Sequence, residues 1–226
     1  MTYEEIITEL KAEANPANVE GMARFGIATK DTLGISIPFV WALAKRIGKN
    51  HDIAERLWQS GIHEARILAT IADKAEWVTP EQMESWVKDF DSWDVCDQAC
   101  GNLFSWTPFA HSKAAEWAVR EEEFVRRAGF ALMAALAVHD KDSKDAAFQK
   151  FLPLISEFST DDRNFVKKAV NWALRQIGKR NKFLLNEAIK VAERLAESKD
   201  AAARWIGKDA ARELLARKTK LENTVD

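Results

Sequence analysis

Apolar residues recur at three- and four-residue spacing along almost all of this 226-residue chain, and no segment makes a convincing strand. The spacing predicts helices over 2–13, 16–24, 37–48, 51–60, 62–74, 80–89, 92–104, 111–119, 122–137, 143–156, 162–178, 181–197 and 200–218. An all-α fold follows. The five prolines, Pro16, Pro38, Pro80, Pro108 and Pro153, fall near predicted helix starts, with Pro153 also placed to kink the segment that contains it. Thr79-Pro80-Glu81-Gln82 is the clearest start signal, because Thr79 can cap, Pro80 loses no needed donor at the first position, and Gln82 can reach back to complete a capping box.

The connections are mostly short, about two to seven residues, so successive helices should pack as antiparallel hairpins. About six such pairs emerge, each roughly 35 to 40 residues long, in the manner of a degenerate HEAT-type array whose hairpins bury their apolar faces only against neighbours. A superhelical solenoid with a concave face is the expected architecture. No linker rich in Pro, Ser or Gly interrupts the chain, so residues 1–226 are read as one domain with a tail after about 218 expected to fray.

Apolar residues make up 47% of the chain, enough for a sizeable core. The longest apolar stretches, such as Ala128 to Val138, are too short to span a bilayer, and the start Met1-Thr2-Tyr3-Glu4-Glu5 lacks a basic region followed by an apolar one. A cytoplasmic protein without a membrane partner is expected. Cys96 and Cys100 lie one turn apart and read as packing residues, and His51, His63, His111 and His139 show no ligand spacing, so neither a metal nor an organic cofactor is expected.

The formal net charge of −2 conceals a polarity along the chain. From Arg163 to Asp226 there are 16 Lys and Arg against 8 Asp and Glu, a net of +8, which leaves −10 on the preceding 162 residues. A basic C-terminal third can attract phosphates, although a run such as Lys179-Arg180-Asn181-Lys182 also suits a solvated helix end.

Nine tryptophans need sorting. Trp41, Trp58, Trp77, Trp86 and Trp117 lie among apolar residues at helical spacing and read as core; Trp106 and Trp205 sit in polar or basic surroundings. Trp93 and Trp172 are set apart by their neighbours. Trp93 and Asp97, four residues apart on one helix, place an aromatic ring beside a carboxylate, an arrangement suited to chemistry on a cation.

Asn15-Pro16, Met22-Ala23-Arg24, Leu33-Gly34-Ile35-Ser36-Ile37-Pro38, Trp93-Asp94-Val95-Cys96-Asp97, Val125-Arg126-Arg127-Ala128 and Lys167-Lys168-Ala169-Val170-Asn171-Trp172-Ala173-Leu174-Arg175 occur in that order between about residues 15 and 180. Together they resemble the DNA alkylation repair family of the AlkD type, the HEAT-like-repeat DNA glycosylases. The resemblance implies a monofunctional enzyme that removes N3- or N7-alkylated purines from double-stranded DNA while the lesion remains stacked. It places the family's functional residues on Trp93, Asp97, Arg126 and Trp172, with the two indoles and the carboxylate on the deoxyribose and the arginine on the DNA backbone. Ser92 departs from a position that is often aromatic in the family.

Alkylation at N3 or N7 makes the purine cationic and a good leaving group, and positive charge moves to the sugar as the C1′–N bond breaks. A fixed carboxylate at Asp97 would stabilise that oxocarbenium-like sugar and orient a water. The faces of Trp93 and Trp172 would add about 0.5–2 kcal/mol each by cation–π attraction. Arg126 would pair with a phosphate, and Lys167, Lys168, Arg175, Lys179 and Arg180 are further phosphate contacts or simple surface charges. Asp91 and Asp94 are explained by helix capping and the macrodipole, and a slip of one residue would exchange Arg126 with Arg127. A solenoid with a DNA-sized groove is most simply a monomer without an obligate protein partner. The competing reading is a non-catalytic HEAT-like scaffold that binds DNA or protein on its concave face.

Overall fold

The computed structural model describes residues 1–223, and these form fourteen α-helices and two short 3-10 turns with no strand among them. The all-α expectation holds. The chain divides into two compact units, Met1–Thr107 and Pro108–Asp226.

The first unit contains α1 (Tyr3–Ala12), α2 (Pro16–Ala23), α3 (Ile37–Ile47), α4 (His51–Gln59), α5 (His63–Ala72), α6 (Pro80–Lys88) and α7 (Trp93–Asn102), followed by a 3-10 turn over Phe104–Trp106. Local sequence explains the starts. Thr2 and Glu5 form a complete capping box on α1, Asn15 and Asn50 cap α2 and α4, and Pro16 and Pro80 open their helices where no donor is needed. Thr79 caps α6 by accepting the Gln82 N–H at 3.1 Å. The Gln82 side chain does not complete the expected box: it donates to Asp73 at 2.7 Å. Asp73 is buried and also bonds His51 Nδ1 at 2.9 Å, so its need for partners outweighs a solvent-facing cap.

Every residue of α5 except Arg66 is buried, which makes it the central helix of this unit, packed between α3, α4 and α7. Trp58 of α4 stacks on Trp86 of α6 with ring centroids 4.0 Å apart and planes within 3°. Trp58, Trp86 and Trp117 are core residues as expected, but Trp41 and Trp77 are 41% and 46% exposed. The run Ile37-Pro38-Phe39-Val40-Trp41-Ala42-Leu43-Ala44 is apolar on all sides, so periodicity could not tell that Val40, Leu43 and Ala44 face inward and Trp41 outward. Trp77 lies in the turn before α6 beneath the Lys74 ammonium, 5.0 Å from its ring.

The second unit contains α8 (Ala110–Ala118), α9 (Glu123–His139), α10 (Asp145–Gln149), α11 (Phe151–Glu157), a 3-10 turn over Phe158–Thr160, α12 (Asn164–Gly178), α13 (Lys182–Ala196) and α14 (Ala201–Glu222). Helix α9 packs against α8 and α12, and α13 against α14. Gly129 lets α8 and α9 approach closely, since a Cβ there would lie 2.4 Å from the Ala118 nitrogen. The single helix expected over 143–156 breaks at Lys150. Pro153, third in α11, has no N–H for the Gln149 carbonyl, so the helix cannot run through. Helix α14 continues four residues past the expected end at 218, and residues 224–226, the last of the tail expected to fray, lie outside the described residues.

Candidate active site

Helix α7 starts at Trp93 because Ser92 is held in extended conformation and buried, its hydroxyl donating to the Asp94 carboxylate. One turn separates Trp93 from Asp97, and both side chains line a cavity of about 540 Å³ that lies wholly within the first unit. The rest of the wall is mainly apolar, from Met22, Phe25, Ile27, Ile35 and Ile67, with His63, Glu64 and Asp94 as further ionisable groups. The Trp93 Nε1–H donates to the Phe25 carbonyl at 3.0 Å, which fixes the indole against the segment that follows α2.

That segment is shaped by a buried carboxylate. Glu64, 1% exposed, accepts the backbone N–H groups of Leu33, Gly34 and Ile35 at 2.9, 2.6 and 3.1 Å. Gly34 has φ +78°, and a Cβ there would lie 2.2 Å from the Asn15 carbonyl oxygen, so the close approach of the two strands of chain requires glycine. The Asn15 N–H donates to the Leu33 carbonyl and the Asn18 side chain to the Gly34 carbonyl. Two of the motif segments, Asn15-Pro16 and Leu33 to Pro38, thus form one hydrogen-bonded wall.

His63 and Asp94 are the residues that sequence reasoning passed over. His63 Nε2 and Asp94 Oδ2 are 2.8 Å apart, with His63 4% exposed. Burial alone would lower the His63 pKa, but the hydrogen bond and charge of Asp94, with the charges of Glu64 and Asp91, outweigh it and hold the imidazolium form above its usual range. Burial would raise Asp94; its bonds to His63, Ser92 and the Val95 N–H bring it below the usual carboxylate range instead. Asp94 is indeed in the first turn, as the macrodipole reading required, and it is also half of an ion pair. The signal was the spacing, about one helical pair, which recurs in His111 with Asp140 at 2.7 Å. Among the described residues no group of three or more His, Cys, Asp or Glu could hold a metal ion.

The remaining site residues lie in the second unit. On α9, Arg127 is buried and donates to the Phe165 carbonyl at 2.6 Å, whereas Arg126 is partly exposed, pairs with Asp161 at 2.7 Å and lies 4.6 Å over the Phe158 ring. Of the two, Arg126 is the one solvent can reach. Burial would raise the Asp161 carboxyl, but Arg163 and Arg126 hold it low. On α12, Trp172 is partly exposed, Lys168 is exposed, and Lys167 lies 5.3 Å over the Trp205 ring. Arg175 and Lys179 both pair with Glu213, and Arg180 donates to the carbonyls of Leu136, Ala137 and Asp140 that close α9. Those three cations already serve the fold.

A model of the DNA alkylation repair enzyme family matches residues 6–214. The chain belongs to that family. Every motif that carried the resemblance falls within the matched span, and three of them contribute residues to the cavity beside Trp93 and Asp97. Among solved structures, one of "a new family of proteins related to the HEAT-like repeat DNA glycosylases with affinity for branched DNA structures" superposes with a TM-score of 0.76 over 94% of this chain and 95% of its own, at 19% identity. The helical hairpins are therefore HEAT-like repeats. A comparison with curated proteins yields no match. Among the described residues, no helix is long and apolar enough to cross a membrane.

Proposed function

We propose that the protein is a DNA glycosylase that hydrolyses the N-glycosidic bond of cationic N3- or N7-alkylated purines in duplex DNA. The observation that carries this reading is the cavity of the first unit, where the Asp97 carboxylate and the Trp93 ring line one wall. The Trp93 indole is fixed by the Phe25 carbonyl and α7 is anchored through Asp94 to His63, so carboxylate and ring are pre-positioned.

In the reaction proposed, the lesion stays stacked and the sugar faces Asp97. As the C1′–N bond breaks, the electron pair leaves with the base, which departs neutral, and the positive charge on the sugar is met by the carboxylate. Asp97 then accepts a proton from the water that attacks C1′. Trp172 supplies the second indole, and Lys167 and Lys168 add cations on α12. Arg126 pairs with a phosphate by exchanging its Asp161 partner, and Arg175, Lys179 and Arg180 would likewise contact phosphate only by exchanging the internal partners described above. No metal or organic cofactor takes part in the scheme, and the protein is taken to act as a cytoplasmic monomer. Release of 7-methylguanine and 3-methyladenine from methylated duplex DNA, compared between the native protein and Asp97→Asn, tests it: equal release, or none from either, overturns it.

One observation favours a second reading. The solved structure that matches at a TM-score of 0.76 is described by affinity for branched DNA rather than by base excision. Tight binding to a four-way junction with no base released from alkylated duplex would identify this chain as a DNA-structure-binding protein instead.

A further inference from the structure

Three helices of the first unit carry residues into two separate hollows, in the same order on each. On α3, Ile37 lines the cavity that holds Asp97, whereas Trp41 and Lys45, one and two turns further on, line a second hollow of about 290 Å³. On α5 the corresponding positions are Glu64 and then Ile71, and on α7 they are Asp97 and then Asn102. The packing of α3 on α5 and of α5 on α7 makes these helices one layer, so the two hollows lie side by side on one face of it. Eight residues separate Ile37 from Lys45, a rise of about 12 Å.

The chemistry changes sign along that face. The first cavity presents the carboxylates of Glu64, Asp94 and Asp97 with His63. The second presents Lys45 and Lys49 and has no acidic residue in its lining. Lys49 is a fixed charge, its ammonium donating to the Ile71 and Asp73 carbonyls at 2.8 and 2.7 Å, while Lys45 is exposed. Trp41 stands beside it, 41% exposed. An indole and an ammonium that line one hollow match a nucleotide: any base can stack on the ring, and the phosphate meets the charge.

We propose that the hollow lined by Trp41, Lys45 and Lys49 is a DNA subsite that takes an unpaired nucleotide, its base stacked on Trp41 and its phosphate paired with Lys45. A base inside a duplex has both faces covered by its neighbours, so the subsite selects DNA with single-stranded extensions or branch points. It rests on the reading of this face as a DNA-binding one, and not on excision at Asp97.

The test is fluorescence anisotropy with two unmodified probes, a blunt 15-base-pair duplex and the same duplex carrying a single-stranded thymidine extension, at several salt concentrations, on the full chain. The native protein binds the extended probe more tightly. Trp41→Ala loses about tenfold on that probe and nothing on the blunt one, Trp41→Phe keeps most of the preference, and Lys45→Gln lowers the salt slope on the extended probe by about 0.7. No preference in the native protein, or a preference for the extended probe as large in Trp41→Ala and Lys45→Gln as in the native protein, overturns the subsite; circular dichroism confirms that both variants fold. Release of 7-methylguanine from a methylated copy of the blunt duplex, measured in parallel, separates the two readings. Excision with no role for Trp41 removes the subsite alone, and a Trp41-dependent preference without excision removes the glycosylase reading alone.

Discussion

The Nε2 atom of His63 lies 2.8 Å from the Asp94 carboxylate, so α5 is tied to the first turn of α7 between Trp93 and Asp97. Because the folded pKa of His63 is raised above its ordinary 6.5, its contribution to stability is full below about 6.5 and is lost as pH rises through the higher folded value. Asp94, held low, contributes above its ordinary 3.8 and loses that contribution as pH falls through its folded value. The pair therefore stabilises most between the two. His63→Gln should lower stability by roughly 2 kcal/mol near pH 6. That deficit should shrink as pH rises through the raised folded pKa and the native imidazole loses its charge. Urea unfolding at a series of pH values checks it; a deficit independent of pH would show that charge on His63 plays no part.

Asp97→Asn preserves size while removing the negative charge. On the glycosylase reading it should lower single-turnover excision of 7-methylguanine by about 100-fold or more. Binding to undamaged duplex should change by less than about threefold, because Asp97 meets charge that develops only in the transition state. Trp172→Ala should lower excision by about tenfold. Parallel loss of excision and binding in Asp97→Asn would instead assign it to ground-state affinity.

Glu64→Gln replaces an acceptor of three N–H groups by an amide whose NH₂ faces donors. Loss of those charge-assisted bonds in a buried site should destabilise the protein by about 2–4 kcal/mol, as measured by urea unfolding. On the glycosylase reading excision should fall with it, because Gly34 and Ile35, held by Glu64, line the cavity that holds Trp93 and Asp97.

How much of this was legible depends on how local the cause is. Helix starts at Thr2, Asn15, Asn50 and Thr79 follow from residues within one turn, and these four starts match the expected ones to within a residue. The break at Lys150 was foreshadowed by Pro153. Trp93 and Asp97 share a helix face, so their joint approach to one cavity was readable from spacing. His63 with Asp94 and Glu64 with Leu33 to Ile35 join residues about thirty positions apart, and no local pattern announces such bonds. Exposure of Trp41 was hidden by an apolar run without a polar face. Engagement of Arg175 and Lys179 by Glu213 likewise depends on how α12 packs against α14.

Two glycines should respond in opposite ways to the same added methyl group. A Cβ at Gly207 would meet the Ala196 nitrogen at 2.1 Å and the Leu195 carbonyl carbon at 2.5 Å, so Gly207→Ala must push α14 from α13 and should destabilise by about 2 kcal/mol or more. Gly101, inside α7, has nothing within 4 Å of that position, and Gly101→Ala should stabilise by roughly 0.5–1 kcal/mol. Thermal unfolding of both variants checks the contrast.

Helix α2 has no buried residue, although Ala17, Asn18, Gly21 and Met22 line the cavity that holds Asp97. Its amides have little beyond the helix's own short ladder to shield them, so deuterium should reach them while α5 and α9 are still closed. On that expectation the first helix of this unit to open is one side of the cavity that holds Asp97, and loosening its eight residues would widen that cavity while the interior around Trp58 and Trp86 stays intact.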